Sequence, residues 1–255
     1  GNGQGWASAE IVATLAAGAL LLAAFLLWEL RTPAPMLPLR FFRSRSFALA
    51  NAASLFMFFG MFGSIFLLAQ FFQTVQGYSP FGSGLRILPW TLAPMFIAPV
   101  AGALSDRISP RRIIGTGLAM QAAALAWIAA VSTPTTPYGQ LIAPFVLAGV
   151  GMALFFAPVA NVVLSAVRPE EEGQASGANN AIRELGGVFG VAVLAAVFSR
   201  VGGYDDAQAF TDGLSVAVYV GAAVVGVGAL AAFAIPGRRG VERRAPAREP
   251  ALDAV

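Results

Sequence analysis

The chain has 255 residues, of which 57% are hydrophobic and 11% are charged, and its formal net charge is +3. A soluble domain carries about a quarter charged residues, so this composition indicates a polytopic membrane protein. The sequence contains neither cysteine nor histidine, which excludes disulfides, Ser-His-Asp catalysis and Cys- or His-ligated metals. We therefore expect no enzymatic activity, no metal and no cofactor. We assign the positive charge to loops at a membrane surface and expect no nucleic-acid partner.

A bilayer-spanning helix needs about 20 mostly apolar residues. Seven stretches meet that requirement, namely residues 11–28, 47–72, 85–104, 113–131, 141–164, 177–198 and 214–235. The sequence therefore predicts an all-α membrane protein with seven transmembrane helices. The last six spans can divide as three plus three, the inverted repeat that is common in secondary transporters. No repeat is evident at the level of single residues, so this 3+3 expectation rests on span count and topology.

The first span is separated from the other six by a proline-rich stretch, residues 31–38, and by a short interfacial piece, residues 39–45. We therefore divide the chain into three parts. Residues 1–46 are a linker transmembrane helix with a cytoplasmic Pro/Arg-rich connector, and residues 47–236 are a six-span domain. Residues 237–255 are rich in Arg, Pro and Ala, a composition that predicts a disordered cytoplasmic tail.

The 16 basic residues are all arginines, and they are distributed unevenly among the predicted loops. Only Arg86 and Arg200 fall on one side of the membrane. The other side carries Arg31, Arg40, Arg43, Arg45, Arg107, Arg111, Arg112, Arg168, Arg183, Arg238, Arg239, Arg243, Arg244 and Arg248. Because cytoplasmic loops carry the excess of positive charge, we place the N-terminus of this chain outside and its C-terminus in the cytoplasm. The protein is expected in the cell membrane.

A short basic connection, residues 102–112, joins the third and fourth predicted spans. A carboxylate there can accept hydrogen bonds from the N–H groups at a neighbouring helix N-terminus, and the arginines can pair with acids on a moving partner half. Such a latch would favour one state of a two-state transporter, and the alternative is a plain positive-inside turn. The glycine at the start of this connection is expected to allow close packing of helices. The candidate residues of this cytoplasmic gating loop are Gly102, Asp106, Arg107, Arg111 and Arg112.

Ionisable residues are almost absent from the predicted spans. Only Arg183 and Glu184 enter one, about two turns from its cytoplasmic end. A charge inside a membrane is costly and usually marks function, but no mid-membrane carboxylate is evident, so we expect any coupled proton to be carried elsewhere. The neutral polar residues of the spans can contact a substrate or form interhelical hydrogen bonds, and both interpretations stay open. They are Asn51, Gln70, Gln121, Asn161, Asn179 and Asn180.

Residues 102–112 resemble the signature of the major facilitator superfamily, approximately G-x-L-x-D-R-x-G-R-R/K, with Ser109 in place of the usual glycine and Pro110 inserted. Residues 76–80 and 173–180 resemble the outer loop after the first span and the start of the fifth span of a C-terminal half. An extra span followed by a proline-rich linker is similar to the fourteen-span drug:proton antiporter branch. The resemblance implies a C-terminal half preceded by a linker helix. It also implies two partners, namely protons and a missing N-terminal half of the same polypeptide, which carries the proton-coupling acids.

In that family the first, second, fourth and fifth spans of each half line the substrate cavity. The resemblance thus implies substrate-pathway candidates on four spans, namely Asn51, Gln70, Trp90, Asn161, Asn179 and Arg183. The expected function is proton-coupled efflux of hydrophobic or drug-like small molecules through the lipid bilayer by alternating access. We expect that this chain alone does not transport.

Two alternatives remain open. A transporter of the same fold for a neutral metabolite fits the scarcity of charge in the spans equally well. A seven-span receptor, which belongs to another class, fits the span count, the outside N-terminus and the Asp106–Arg107 pair after the third span. The receptor is opposed by the lack of a cysteine pair in the outer loops, of a lysine for a retinal Schiff base and of Asn-Pro-x-x-Tyr in the last span.

Overall fold

A computed structural model describes residues 8–33 and 35–236, without the side chains of residues 105–107. Within that range, seven helices are long and apolar enough to cross a membrane. They are α1 Ala9–Arg31, α2 Arg45–Gln70, α3 Pro80–Arg107, α4 Pro110–Val131, α5 Tyr138–Leu164, α6 Glu172–Val201 and α7 Ala207–Phe233, with a π-helical turn at Phe71–Val75 and 3-10 turns at Leu39–Arg43 and Pro169–Glu171. The prediction of an all-α protein with seven spans is confirmed. The expected tail, residues 237–255, lies outside the described residues.

The connection between α3 and α4 is shorter than the sequence predicts. Helix α3 continues to Arg107, the Ile108 N–H donates to the Leu104 carbonyl at 2.9 Å, and α4 begins at Pro110. Only two residues lie between the helices, so the predicted short connection is present but occupies far fewer residues than 102–112. The apolar run ends near Leu104, but the helical hydrogen bonds continue into the polar residues that follow it.

Helices α6 and α7 begin several residues before the predicted spans. Helix α6 starts at Glu172, and α7 starts at Ala207, where the Asp206 carboxylate accepts a 2.7 Å hydrogen bond from the Ala209 N–H. Such capping residues are polar, so hydropathy alone does not locate a helix start. Arg183 therefore lies eleven residues into α6, about 16 Å from its first residue at 1.5 Å per residue, deeper than the predicted two turns.

Helix α1 lies outside the bundle formed by the other helices. None of its 18-residue apolar segment is buried, so the other helices that the structure describes do not cover it. Its C-terminal end is fixed by Glu29, which is buried and accepts a 2.7 Å hydrogen bond from the Leu37 N–H. The turn at Leu39–Arg43 then packs Phe41 against Phe47, with ring centroids 5.4 Å apart. This contact attaches the connector to the start of α2.

The other six helices form a bundle with symmetric pairing. Helix α2 packs mainly against α6 and α7, α5 packs mainly against α3 and α4, and α4 packs against α7. Exchanging α2, α3 and α4 for α5, α6 and α7 reproduces these pairs, although α6 contacts α7 more extensively than α3 contacts α4. Because equivalent helices lie three positions apart in the order of spans, an odd number, the two triplets run in opposite directions through the membrane. The predicted 3+3 inverted repeat is therefore confirmed in the packing.

Glycine allows the paired helices to approach closely. A methyl group at Gly190 of α6 would lie 2.1 Å from the Phe59 carbonyl oxygen of α2. A methyl group at Gly149 of α5 would lie 2.5 Å from the Trp90 carbonyl oxygen of α3. These backbones touch because glycine has no side chain, as is common between membrane helices. Since α2–α6 and α5–α3 are equivalent pairs, both triplets of the repeat are held by the same type of contact.

Candidate functional site

Three buried polar side chains join α2 to α6. Asn179 Nδ2 donates to Asn51 Oδ1 at 2.9 Å and to Ser54 Oγ at 3.0 Å. Asn51 Nδ2 in turn donates to the Phe47 carbonyl at 2.9 Å. All three side chains are buried, and interhelical hydrogen bonds of this kind stabilise pairs of membrane helices. Asn51 and Asn179, both predicted as substrate-pathway residues, therefore bind each other in this conformation.

The other neutral candidates lie in separate places. Trp90 is fully buried against Phe145, with ring centroids 6.0 Å apart, and its indole N–H has no acceptor among the described residues. Gln70 Oε1 accepts a 2.6 Å hydrogen bond from the Tyr204 hydroxyl at the C-terminal end of α2. Asn161 is exposed close to the end of α5. The structure therefore does not bring the neutral candidates together into one cluster.

Arg183 places a positive charge where α6 faces α2 and α5. Its guanidinium carbon lies 5.3 Å from the ring centroid of Phe58 and 5.1 Å from that of Phe156, which is within cation–π range. The two rings contact each other edge to face, with centroids 5.9 Å apart. In the described part of the chain, Nε of Arg183 is buried without a hydrogen-bond partner and no carboxylate forms an ion pair with the side chain. Two aromatic rings, rather than an acid, therefore stabilise this charge.

Glu184 follows Arg183 in sequence but lies on a different side of α6, since successive helical residues are about 100° apart. It is exposed and lines a groove of about 430 Å³ with apolar residues that include Phe62 and Gly187. Asn180, one turn earlier, is also exposed. An acid exposed within a membrane helix requires water or another protein chain beside it. This side of α6 is therefore not suited to contact lipid.

The predicted gating residues are only partly described. Gly102 lies inside α3, and a methyl group there would meet no described atom within 4 Å, so the described helices do not pack closely at this glycine and its role stays a prediction. Arg111 is half-buried and Arg112 is exposed in the first turn of α4, where the positive end of the helix dipole disfavours both. Neither forms an ion pair with any side chain that the structure describes. The side chains of Asp106 and Arg107 lie outside the description, so the latch stays a prediction.

A single acid, Glu171, binds two arginines at the start of α6. It pairs with Arg40 of the connector and with Arg168, whose Nη2 lies 2.7 Å from Glu171 Oε1. The hydrogen bond to this carboxylate raises the pKa of the Arg168 guanidinium above its usual value. Gln174 adds a 3.2 Å hydrogen bond to the Pro35 carbonyl. The connector between α1 and α2 is therefore attached to the start of α6.

Comparison with known families decides between the transporter and the receptor. The family model described as Major Facilitator Superfamily matches residues 3–191 and, in a second overlapping match, residues 87–253. The chain belongs to the major facilitator superfamily. It is therefore a multi-pass membrane protein of a transporter family, as the resemblance implies, and the receptor alternative is wrong.

Relatives of this major facilitator chain include named exporters. It is 35% identical over 195 residues to the multidrug resistance protein Stp of Mycobacterium tuberculosis, a match that covers 76% of the chain and 36% of that protein. It is 33% identical over 199 residues to the tetracenomycin C resistance and export protein of Streptomyces glaucescens, covering 78% and 37%. It is 29% identical over 196 residues to the multidrug export protein EmrB of Escherichia coli, covering 76% and 38%. The chain thus spans about a third to two fifths of the length of the curated relatives it matches.

Two features of this facilitator site are not evident in its sequence pattern. Phe58 and Phe156 come from helices that carry aromatic residues on several sides, so no periodicity singles out the rings that contact Arg183. Glu184 looks close to a span end when the span is taken to begin at residue 177. The run of glutamates after Pro169 is a helix-start signal, and it would have placed Glu184 deeper.

Proposed function

We propose that this chain is one half of a transporter that exports hydrophobic small molecules by alternating access, driven by protons. The observation that carries the proposal is that relatives 29–35% identical to the chain are named for multidrug resistance or export. The groove of mainly apolar side chains beside Glu184 supports it, because pockets of this kind suit ligands with a large apolar body and few polar groups.

We propose further that a second six-helix half of the same polypeptide completes the substrate pathway. The 18-residue apolar segments of α3 and α6 are the least buried of the bundle, with 17% and 28% of their residues buried. Their exposed residues include Met95 and Phe96 on α3 and Val188 on α6. The exposed side of α6 also carries Glu184, which lipid would not solvate. A companion half that faces α3 and α6 would cover these apolar residues. Water held between the two halves would hydrate the acid.

Five of the six candidate residues can then be assigned from their surroundings. Arg183 and Asn161 keep exposed surface, and we assign them to the wall of the substrate pathway. Asn51 and Asn179 are buried in hydrogen bonds with each other, so we assign them to holding α2 against α6 while the half moves as a unit. Trp90 is fully buried, so substrate reaches it only if α3 and α5 separate.

An efflux assay in a drug-hypersensitive bacterium tests the export function. Cells that express the complete product of the gene encoding this chain should extrude lipophilic fluorescent dyes from a panel that includes cationic, neutral and anionic members, and a protonophore should abolish the extrusion. The 255-residue chain expressed alone is the control and should not extrude dye. A well-expressed complete protein that changes the accumulation of no dye in a broad panel would contradict the proposal, and uptake of a metabolite instead would favour the neutral-metabolite alternative.

A substitution at Glu184 tests where the coupled proton binds. We propose that acids of the second half carry the proton, so Glu184→Gln should leave dye export sensitive to the protonophore. The opposite result, a variant that binds dye but no longer exports it in response to a proton gradient, would assign the proton to Glu184.

A further inference from the structure

Arg183 has a charge for which the described structure provides no counter-charge. Its Nε is buried and unpaired among the described residues, and the ion pairs of that part of the chain lie at Glu171 instead. Removing a guanidinium from water is costly unless an opposite charge compensates. Cation–π contacts with phenylalanine compensate only in part. An anion that reached this position would therefore gain a strong partner.

The surroundings of Arg183 select the shape of such an anion. The rings of Phe58 on α2 and Phe156 on α5 both lie on one side of the guanidinium carbon, because the ring centroids are only 5.9 Å apart. The guanidinium can then donate hydrogen bonds on the side away from the rings, where a planar carboxylate accepts two parallel bonds from one of its edges. The same rings offer an apolar surface to whatever is attached to the carboxylate. A hydrophobic organic acid satisfies both the charge and the rings.

Glu184 restricts where the acid group of this ligand lies. It lines the groove that also contains Phe62, and its carboxylate repels an anion there. Phe62 contacts Phe58, with ring centroids 5.8 Å apart, so an apolar wall continues from the groove to the guanidinium. The acid group of the ligand therefore belongs on the Phe58 and Phe156 side, away from Glu184.

We propose that Arg183 binds the carboxylate of a hydrophobic organic acid whose apolar body lies against Phe58 and Phe156. This inference rests on the proposed export function and deepens it by naming a substrate class. It makes Arg183 the residue that distinguishes an acid from a neutral molecule of the same shape.

Calorimetric binding at neutral pH, with the purified complete protein in detergent, tests this assignment. The probes are 2-naphthoate and its neutral isostere 2-naphthamide, which differ mainly in charge. The wild-type protein should bind the acid about tenfold more tightly than the amide, the scale expected for a charge-assisted pair. Arg183→Gln should bind both probes equally. Arg200→Gln removes an exposed arginine from the same helix and should keep the tenfold preference.

Arg183→Lys covers the case in which the glutamine variant does not fold. Lysine keeps the charge without the planar donor edge, so it should prefer the acid by less than the wild type. Equal affinities of the wild-type protein for the two probes, or a preference that survives in Arg183→Gln, would overturn the assignment. If dyes are exported while the preference is absent, this inference alone fails, whereas failure of the export function shows as the absence of any dye efflux.

Discussion

Replacing Gly190 with alanine directly tests the close packing of α2 against α6. The added methyl group would lie 2.1 Å from the Phe59 carbonyl oxygen, whereas ordinary contact begins at 3.4 Å. The two helices must therefore separate locally by about 1.3 Å, the difference between those distances. The obstructing atom belongs to the backbone of α2 and cannot rotate away as a flexible side chain would.

The expected loss of stability follows from three terms. Overpacking costs about 1–3 kcal/mol, and alanine returns about 1 kcal/mol through its better helix propensity. Separation of the helices also strains the two hydrogen bonds of Asn179, each worth about 0.6 kcal/mol on average in a membrane protein. The net destabilisation is about 1–3 kcal/mol. At roughly 2–4 °C per kcal/mol for a domain of this size, the melting temperature should fall by about 2–12 °C.

Thermal unfolding of the detergent-solubilised protein, followed by size-exclusion chromatography after heating, measures this loss. Gly177→Ala is the matched control, because it lies in the same helix and its methyl group would meet no described atom within 4 Å. The control should be neutral or slightly stabilised. A Gly190→Ala protein as stable as the wild type, or an equal loss in both variants, would refute the packing argument.

Three further predictions follow from the same structure. Asn179→Ala should lower the melting temperature by roughly 2–5 °C because it removes two interhelical hydrogen bonds, whereas alanine at the exposed neighbour Asn180 should have no effect in the same assay. Trp90→Phe should change the stability by less than about 1 kcal/mol, because the lost packing is offset by removal of a buried N–H that has no described acceptor, and a larger loss would indicate an acceptor that binds it. The chain contains no cysteine, so single cysteines can report its orientation. A cysteine at Thr135 should react with an impermeant maleimide in intact cells, whereas one at Ile108 should react only after permeabilisation. The reverse pattern would invert the proposed orientation.

Hydropathy predicts all seven spans because every bilayer-crossing helix needs about 20 apolar residues, whatever its partners are. It does not predict where helices begin and end, because their terminal residues are polar. Glu172 and Asp206 belong to the starts of α6 and α7, yet both lower the local hydropathy. The depth of Arg183 in the membrane depends on one of these boundaries and is therefore underestimated from the sequence.

The pairing of the helices is only partly contained in the sequence. The spacing of Gly186 and Gly190 indicates a close interface on α6, but it does not say that α2 supplies the partner. The rule that charges in spans mark function selects Arg183, but its neighbours Phe58 and Phe156 come from α2 and α5. Contacts between distant spans depend on three-dimensional packing, and a single sequence holds no periodic signal for them.

The attachment of the connector to α6 has a practical consequence for dividing this polypeptide. The proline-rich stretch after α1 looks like a natural place to insert a tag or to split the protein into co-expressed halves. A cut there would disturb Arg40 and Pro35, the connector residues that Glu171 and Gln174 bind at the start of α6. With the second half proposed above, a split protein should therefore be divided so that α1 and the connector stay with the six-helix bundle.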